Sequence, residues 1–387
     1  MDKISVAVLL SGREQFSVYY GGALARWTYE VYSRLQGQIE ACVFGFPSDP
    51  ETAYPLDHKS SNWCHACSLL SRVPILGRYE DELWLRALKP RLRRFTVIHI
   101  HNRPQWARLL RSLGYRGTVI VHLQNDHLGH WSRMMLDSLA PELDGLVVCS
   151  NYLRNQSIGD SVALASRTAV VFNGVNPKLF SSREGVREPK TIFFVGSLIP
   201  AKGPLQLLKA YELVLRSHPE ARLVIGGSTT FGKQEKTEYV REICSMAVSI
   251  RTQYGASIEF PGYIHHDRDL PAFFQRATLF TSPSTFQEPF GIVNTEAMAC
   301  ATPVVGSNRG GIPEVLGETG VLVNPENTIE YAEALSSLLS DPDRRMKLGS
   351  AALERVRKFF DWNIIARTWL GYLQEVTGKK IVSLECA

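Results

Sequence analysis

The sequence predicts an α/β protein built from two doubly wound, Rossmann-like domains. Its 387 residues are too many for one ordinary core and indicate two domains of roughly 150–200 residues each. Short apolar runs alternate with longer amphipathic runs, which is typical of a parallel sheet with helices on both faces. The alternation starts again after residues 169–190. We therefore assign residues 1–178 to the first domain and residues 179–360 to the second.

The composition is typical of a soluble globular chain. Hydrophobic residues make up 44% of it and charged residues 21%, which excludes a disordered protein. No apolar run approaches the ~18–20 residues that span a bilayer. The apolar run Ile4–Leu10 is short for a signal peptide and lacks a small-residue cleavage pattern, so we expect it to be a buried first strand.

The seven cysteines are odd in number and scattered, which fits a reducing compartment and predicts a cytoplasmic protein. Cys64 and Cys67 could form half of a zinc site. No second pair of ligands with metal spacing follows them, so we interpret the pair as part of a loop.

The first domain alternates predicted strands and helices. Its strands are the apolar runs 4–12, 40–46, 95–101, 117–124 and 145–151. Residues 19–35 form a helix that opens on a glycine-rich turn, and residues 104–114 form a helix that ends at a glycine.

The second domain repeats this pattern. Its strands are predicted at 191–197, 221–228, 256–262, 278–284, 302–307 and 319–324. Residues 204–218 form a helix between the first two of these strands. Residues 343–378 are helical throughout, with a break expected near Asp361.

A basic stretch, residues 86–116, contains nine lysines and arginines and no acid. It is either a solvated face or a surface that meets anionic lipid headgroups or a phosphorylated acceptor. Nucleic acid gains little support, because no aromatic-interleaved or groove-reading motif accompanies the basic residues.

Ligands of doubly wound folds bind on loops at the carboxyl ends of the strands, and four such loops stand out. The first contains Gly21 and Gly22, whose amides could approach an anion, although a plain helix start explains them equally well. It lacks the G-x-G-x-x-G pattern of dinucleotide-binding proteins. The second, FVGSLIPAKG (194–203), places Lys202 beside a helix start. That position suits a diphosphate; an exposed lysine in a turn is the alternative.

The third loop, within residues 284–307, leads into a helix predicted at 291–300. Glu288 lies just ahead of this helix, where it can accept hydrogen bonds from sugar hydroxyls. Glu296 lies about one and a half turns further on, where it can reach a different group of the same ligand. Helix-dipole stabilisation and a solvated face are the alternatives for the two acids, although apolar residues surround Glu296. The helix start leaves free backbone amides that can bind phosphate or sugar oxygens, at Phe290, Gly291 and Ile292.

The fourth loop follows the strand at 117–124. Polar side chains crowd its sequence, VIVHLQNDHLGHW, and include Gln124, Asn125 and His127. We expect these groups to face a ligand and His122 to be buried in the strand.

Several of these segments resemble the C-terminal domain of retaining glycosyltransferases of family 4, which have the two-domain GT-B fold. The segments are VGSLIPAKG, LVIGG, FPGY, TSPSTFQEPFGIVNTEAMACATPVV and GGIPEVL. The resemblance runs through most of residues 169–360. In the first domain it is looser and is carried by the Gly-Gly loop and VIHIHN. It implies two domains that face a cleft, the first on the acceptor side, with the helix in 361–387 crossing back onto the first domain.

The resemblance also implies roles for individual residues. Glu288 would contact the donor sugar and Glu296 the ribose hydroxyls of the nucleotide. Lys202 would neutralise the leaving diphosphate, and Gly22 would let its loop approach the phosphates. The sugar and diphosphate would also be held by the amides of Phe290, Gly291 and Ile292, and the base by backbone atoms near Tyr263.

Two positions depart from the family pattern. Ser197 stands where the family often has an arginine, so Lys202 would bind the diphosphate alone or with an arginine from elsewhere. Gln124 stands where the family often has a histidine near the donor sugar, with Asn125 and His127 beside it.

The implied reaction is transfer of a hexose or N-acetylhexosamine from a nucleotide sugar, UDP favoured over GDP, to a hydroxyl of a glycan or lipid-linked acceptor. Such transfer would serve bacterial polysaccharide, lipopolysaccharide or other glycoconjugate synthesis in the cytoplasm or on the inner face of the membrane. No carboxylate cluster suited to Mg²⁺ is visible in the sequence, so we expect a metal-independent enzyme without a cofactor. The alternative is a nucleotide-sugar-binding protein of the same fold that has lost transfer. A dinucleotide oxidoreductase is disfavoured, because its glycine fingerprint is absent.

Overall fold

The computed structural model describes residues 3–10, 14–18, 21–46, 48–49, 51–60, 80–229 and 237–379. The Cys64 and Cys67 pair lies outside the described residues. The chain divides into two compact units. The first unit comprises Met1–Asn173 and Trp362–Ala387, and the second comprises Gly174–Asp361.

The first unit contains a parallel sheet of seven described strands in the order β3-β2-β1-β4-β5-β6-β7. The strand order reverses between β1 and β4, as in other doubly wound sheets. The strands are β1 (Ile4–Leu9), β2 (Ile39–Gly45), β3 (His58–Ser60), β4 (Val97–His101), β5 (Thr118–Leu123), β6 (Gly145–Val148) and β7 (Thr168–Val170).

The second unit contains a parallel sheet of six described strands in the order β10-β9-β8-β11-β12-β13. Here the order reverses between β8 and β11. The strands are β8 (Thr191–Val195), β9 (Arg222–Gly226), β10 (Ser257–Gly262), β11 (Leu279–Ser282), β12 (Val304–Ser307) and β13 (Val321–Val323). The prediction of two doubly wound α/β domains is confirmed.

Helices connect the strands of both sheets. They are α1 (Ala23–Arg34), α2 (Glu80–Leu92), α3 (Gln105–Ser112), α4 (Arg133–Leu139), α5 (Asn151–Ile158), α6 (Val162–Ala165), α7 (Pro204–Val214), α8 (Glu238–Tyr254), α9 (Leu270–Arg276), α10 (Ile292–Ala299), α11 (Ile312–Leu316), α12 (Thr328–Ser340), α13 (Pro342–Phe359) and α14 (Trp362–Thr377). Among the helices that the structure describes, none combines the length and the apolar character that crossing a bilayer requires.

The last helix belongs to the core of the first unit. The break between α13 and α14 falls near Asp361, as the sequence predicts. Helix α14 buries Trp362, Ile365, Trp369 and Leu373, whose spacing places them on one helical face. This face packs on α1 and joins the hydrophobic core beneath it.

Three histidines lie in the core of the first unit. His99 and His101 alternate on β4, and His122 pairs with His101 in register on β5, so all three point to the same face. Each is fully buried. Trp27 and Trp369 lie against them, with the Trp27 and His122 ring centres 4.6 Å apart. Burial lowers the pKa of all three imidazoles, that of His101 to about 3.

We interpret these imidazoles as neutral core side chains. One ring nitrogen from each lies within 4.8 Å of the others, close enough to suggest a metal site. Two of the rings are already held by α1, because Tyr32 Oη lies 3.0 Å from His99 Nδ1 and Thr28 Oγ1 lies 3.1 Å from His101 Nε2. A divalent ion among indole rings, with no carboxylate in the described part of this cluster to balance it, would carry a large desolvation cost.

Candidate functional site

The candidate site lies on two loops of the second unit. One loop follows β8 and the other follows β11, the two neighbouring strands between which the strand order reverses. Ligands of doubly wound sheets bind beyond the carboxyl ends of the strands at such a switch point. The loops are residues 196–203 and 283–291.

Backbone contacts hold the two loops together. Gly203 ends a short 3₁₀ turn with φ of 72°, and a Cβ at this position would lie 2.0 Å from the carbonyl oxygen of Pro283. Only glycine allows so close an approach in this conformation. The backbone N–H of Thr285 donates to the carbonyl of Ala201 at 2.9 Å, and its hydroxyl donates to the carbonyl of Pro200 at 3.0 Å.

This contact brings Lys202 and Glu288 together, although they are 86 residues apart in sequence. Lys202 Nζ lies 2.5 Å from Glu288 Oε2, and the hydroxyl of Ser284 donates to the same oxygen at 3.2 Å. The Lys202 ammonium also lies 4.9 Å from the centre of the Phe286 ring. Both charged side chains are partly exposed, so a ligand can reach them.

The amides at the start of α10 lie beside Glu288 in the chain. Gly291 precedes the helix with φ of 83°, and the helix begins at Ile292, one residue later than predicted. Within the described part of the chain, the N–H groups of Gly291 and Ile292 donate to no protein acceptor. Phe290 is buried with its ring edge against Phe360. Unpaired amides at a helix start next to a lysine form a typical anion site.

Glu296 is buried, and its partner is a histidine. Its side chain is 3% exposed, so the alternative of a solvated face is wrong. His266 Nε2 lies 2.5 Å from Glu296 Oε1. His266 was not predicted from the sequence, because a single histidine in a loop has no distinguishing spacing.

Ser197 and Tyr263 occupy other loops at the same edge of the sheet. The carbonyl of Ser197 accepts a hydrogen bond from the N–H of Ile199 at 2.9 Å, so this residue shapes the turn after β8. Tyr263 follows β10 directly and packs edge-on against His265.

An arginine from elsewhere reaches the loop after β11. Arg309 donates to the carbonyl of Thr285 and to the carboxylate of Glu326. It therefore braces the loop, while Lys202 is the cation beside Glu288.

A cavity of about 500 Å³ opens near the carboxyl ends of β9 and β10. Its lining is mostly apolar and includes Leu198, Ile225, Gly227, Val240, Phe260 and Gly262. Such a cavity can hold a flat, largely apolar group.

The predicted residues after β5 lie in the first unit. Gln124 is 6% exposed, and its Nε2 has no hydrogen-bond partner among the described residues. Its backbone N–H donates to Asn102 Oδ1 at 2.7 Å. Asn125 is exposed, and His127 is half-buried with a pKa lowered chiefly by burial. A buried amide without a partner is a candidate ligand contact.

The Gly-Gly turn already holds a carboxylate. The N–H of Gly22 donates to Glu14 Oε1 at 2.7 Å, and burial raises the pKa of Glu14. A Cβ on Gly21 would lie 2.3 Å from the Ser17 carbonyl oxygen, so this glycine serves close backbone packing. An acid thus occupies the helix start at which the sequence predicts a phosphate. No sequence pattern points to Glu14.

Comparison with known families places the chain in a family. Residues 177–355 match the model of glycosyl transferases group 1, and residues 20–179 match that of Glycosyltransferase Family 4. The two matches together span residues 20–355. With its two doubly wound sheets, the protein is a glycosyltransferase of the GT-B class. Within that class it belongs to family 4.

Individual relatives agree with this placement. Spore coat protein SA of Bacillus subtilis (strain 168) is 27% identical over 379 residues, covering 92% of this chain and 95% of the relative. Alpha-maltose-1-phosphate synthase of Mycolicibacterium smegmatis is 33% identical over 255 residues, covering 60% of this chain and 64% of the relative.

Solved structures show the same fold. HepE of Anabaena, solved in complex with UDP-glucose, has a TM-score of 0.71 at 20% identity and covers 96% of this chain and 100% of that chain. Sucrose-phosphate synthase of Thermosynechococcus elongatus has a TM-score of 0.73 at 20% identity, covering 97% of this chain and 100% of that chain.

Proposed function

We propose that the protein is a retaining glycosyltransferase that moves a hexose or N-acetylhexosamine from a nucleotide sugar to an acceptor hydroxyl. The observation that carries this proposal is the pairing of Lys202 with Glu288 beside the unpaired amides that open α10. UDP-sugars are favoured as donors, in keeping with the UDP-glucose complex of HepE.

Charge stabilisation is the main contribution of the site. As the bond between the anomeric carbon and the diphosphate oxygen breaks, negative charge develops on the diphosphate. Lys202 and the amides of Gly291 and Ile292 are fixed where they can stabilise that charge, and such stabilisation usually lowers the barrier more than any other effect in an active site. These groups can replace a metal ion, so we expect transfer to continue in the presence of a chelator.

Retention of configuration follows if the acceptor approaches from the face that the diphosphate leaves. The acceptor oxygen then bonds to the anomeric carbon as the diphosphate departs, and the acceptor proton passes to a diphosphate oxygen. Glu288 accepts hydrogen bonds from donor-sugar hydroxyls and holds the sugar in place. It is a binding residue in this scheme, not a nucleophile.

The rest of the donor fits the neighbouring groups of the second unit. Glu296 is assigned to the ribose hydroxyls. The apolar cavity beyond β9 and β10 is assigned to the base, close to the backbone at Tyr263. In the first unit, Gln124 is assigned to a hydroxyl of the donor sugar or of the acceptor, because its buried amide lacks a partner among the described residues.

The donor is identified by the nucleotide sugar that raises the melting temperature most, tested across UDP- and GDP-linked hexoses and N-acetylhexosamines. Binding at a hundred times the Kd stabilises a protein by about 2.7 kcal/mol, which is readily measured. We expect a UDP-sugar to give the largest shift and the product to keep the donor's anomeric configuration by NMR. An inverted product would contradict the retaining scheme, and binding without turnover would favour the silent binding protein.

The basic stretch is proposed to meet an anionic membrane that carries the acceptor. Two of its nine cations are committed elsewhere, because Arg86 pairs with Glu82 and Arg111 pairs with Asp144. Three arginines that cluster where α2 ends, Arg91, Arg93 and Arg94, are exposed. A cytoplasmic location is proposed because Cys42, Cys244 and Cys300 are free thiols.

Changing Arg91, Arg93 and Arg94 to glutamate is expected to abolish sedimentation with vesicles that contain anionic lipid. Each basic residue near such a surface contributes about 1 kcal/mol, and added salt weakens the attraction. Neutral vesicles serve as the control. Binding that is independent of salt, or equal for the variant, would remove the membrane from the proposal.

A further inference from the structure

His266 lies between two carboxylates of the second unit. Its Nε2 is 2.5 Å from Glu296 Oε1, and its Nδ1 is 2.5 Å from Asp267 Oδ1. Ionised carboxylates only accept hydrogen bonds, so an imidazolium, with a proton on each ring nitrogen, matches this arrangement. Hydrogen bonds between charged groups of this kind are the strong class.

The ring of His266 is also fixed by packing. The buried ring of Phe180 meets it edge-on, with ring centres 5.1 Å apart and planes at 69°. The His266 side chain is 26% exposed, while that of Glu296 is 3% exposed. His266 thus lies between the buried acid and the surface, with its orientation set from three sides.

The second carboxylate oxygen of Glu296, Oε2, is buried, and no described residue donates a hydrogen bond to it. Buried polar atoms are nearly always hydrogen-bonded, so a buried oxygen without a partner is a candidate contact for a ligand. The partner that Oε2 calls for must be a donor, because an ionised carboxylate can only accept. Neighbouring hydroxyls of a ribose are donors of this kind.

We propose that His266 is a positioning residue for recognition of the nucleotide ribose. By holding Oε1, it fixes the Glu296 carboxylate so that Oε2 can accept from the ribose hydroxyls. Asp267 pairs with the opposite ring nitrogen and so fixes the orientation of the imidazole. This inference rests on the proposed function, since it takes the donor to be a ribonucleotide sugar.

The test compares UDP with its dideoxy analogue, which lacks both ribose hydroxyls, by calorimetry. Wild type is expected to prefer UDP by about ten- to a hundred-fold, the range for losing a hydrogen bond to a charged group. His266→Phe keeps the ring but cannot donate, so the preference should fall to about threefold or less. His266→Gln can still donate to Oε1 and should restore most of it. The double variant His266→Phe with Glu296→Gln should reduce the preference for UDP little more than either single change does, because the two residues act through the same contact.

Three outcomes are decisive, with melting temperatures checking that the variants fold. Loss of the preference in His266→Phe and its recovery in His266→Gln support the proposal. Unchanged preference, or tighter UDP binding by His266→Phe, overturns it and shows that His266 only covers Glu296. If wild type binds neither UDP nor GDP, the proposed function itself fails. This result differs from one in which wild type binds UDP but His266→Phe keeps the preference, which overturns only the role of His266. The milder variant Asp267→Asn should lower the preference partway.

Discussion

Replacing Lys202 with alanine is expected to lower the rate of sugar transfer from the best donor about a hundred- to a thousand-fold. Loss of one preorganised charge-stabilising group has an effect of this size. Lys202 Nζ lies 2.5 Å from Glu288 Oε2 on the loop that opens α10. Without Lys202, the departing diphosphate loses its cation and meets Glu288 as an unbalanced like charge. Steady-state kinetics should show the loss mainly in kcat, because the charge develops in the transition state.

Lys190 offers a matched control. It lies at the opposite end of β8, just before Thr191, and forms an ion pair with Glu220 at 2.7 Å. Surface ion pairs of this kind contribute little to stability, so Lys190→Ala should leave the rate of sugar transfer within about twofold of wild type. Lys202→Arg should retain part of the activity, because it keeps the charge but changes its shape. Equal rates for the two alanine variants would show that Lys202 does not act on the diphosphate.

Gly203→Ala is expected to lower the free energy of unfolding by about 2–4 kcal/mol and to weaken donor binding. The residue has φ of 72°, and its new Cβ would lie 2.0 Å from the Pro283 carbonyl oxygen. Relief of this clash requires the loops after β8 and β11 to separate. Separation would draw Lys202 away from Glu288 and disrupt the site that the two loops form together.

Gly255→Ala is the control that measures the backbone strain of a left-handed alanine without the steric clash expected at position 203. Gly255 has φ of 64° at the end of α8, and a Cβ there would have no neighbour within 4 Å among the described residues. Gly255→Ala therefore carries only the left-handed strain, about 1–2 kcal/mol, and should bind donor normally. Urea unfolding and calorimetry with the best nucleotide sugar measure both effects. Similar results for the two variants would mean that loop contact at Gly203 does not shape the site.

The sequence predicted most strands because buried parallel strands are continuous apolar runs. The strands that it predicted are present, with ends that differ by a few residues. It did not predict β3 (His58–Ser60), which is polar, or β7 (Thr168–Val170), which is only half-buried. Short edge strands of this kind depend on a neighbour that already exists, so their own residues carry little signal.

The candidate site was predictable where it follows strand ends and helix starts. Lys202 and Glu288 were both singled out for this reason, but their pairing depends on β8 lying next to β11, which no local pattern encodes. Glu14 and His266 could not be predicted, because each is one polar residue in a loop whose partner is fixed only by the fold.

The most direct test of the donor site is sugar transfer from the best nucleotide sugar by wild type and Glu288→Ala, with nucleoside diphosphate binding measured in parallel. We expect the variant to lose transfer while it still binds the nucleoside diphosphate, because Glu288 holds the sugar and Lys202 the diphosphate. Transfer that Glu288→Ala leaves unchanged would contradict the assignment of the donor site to the loops after β8 and β11.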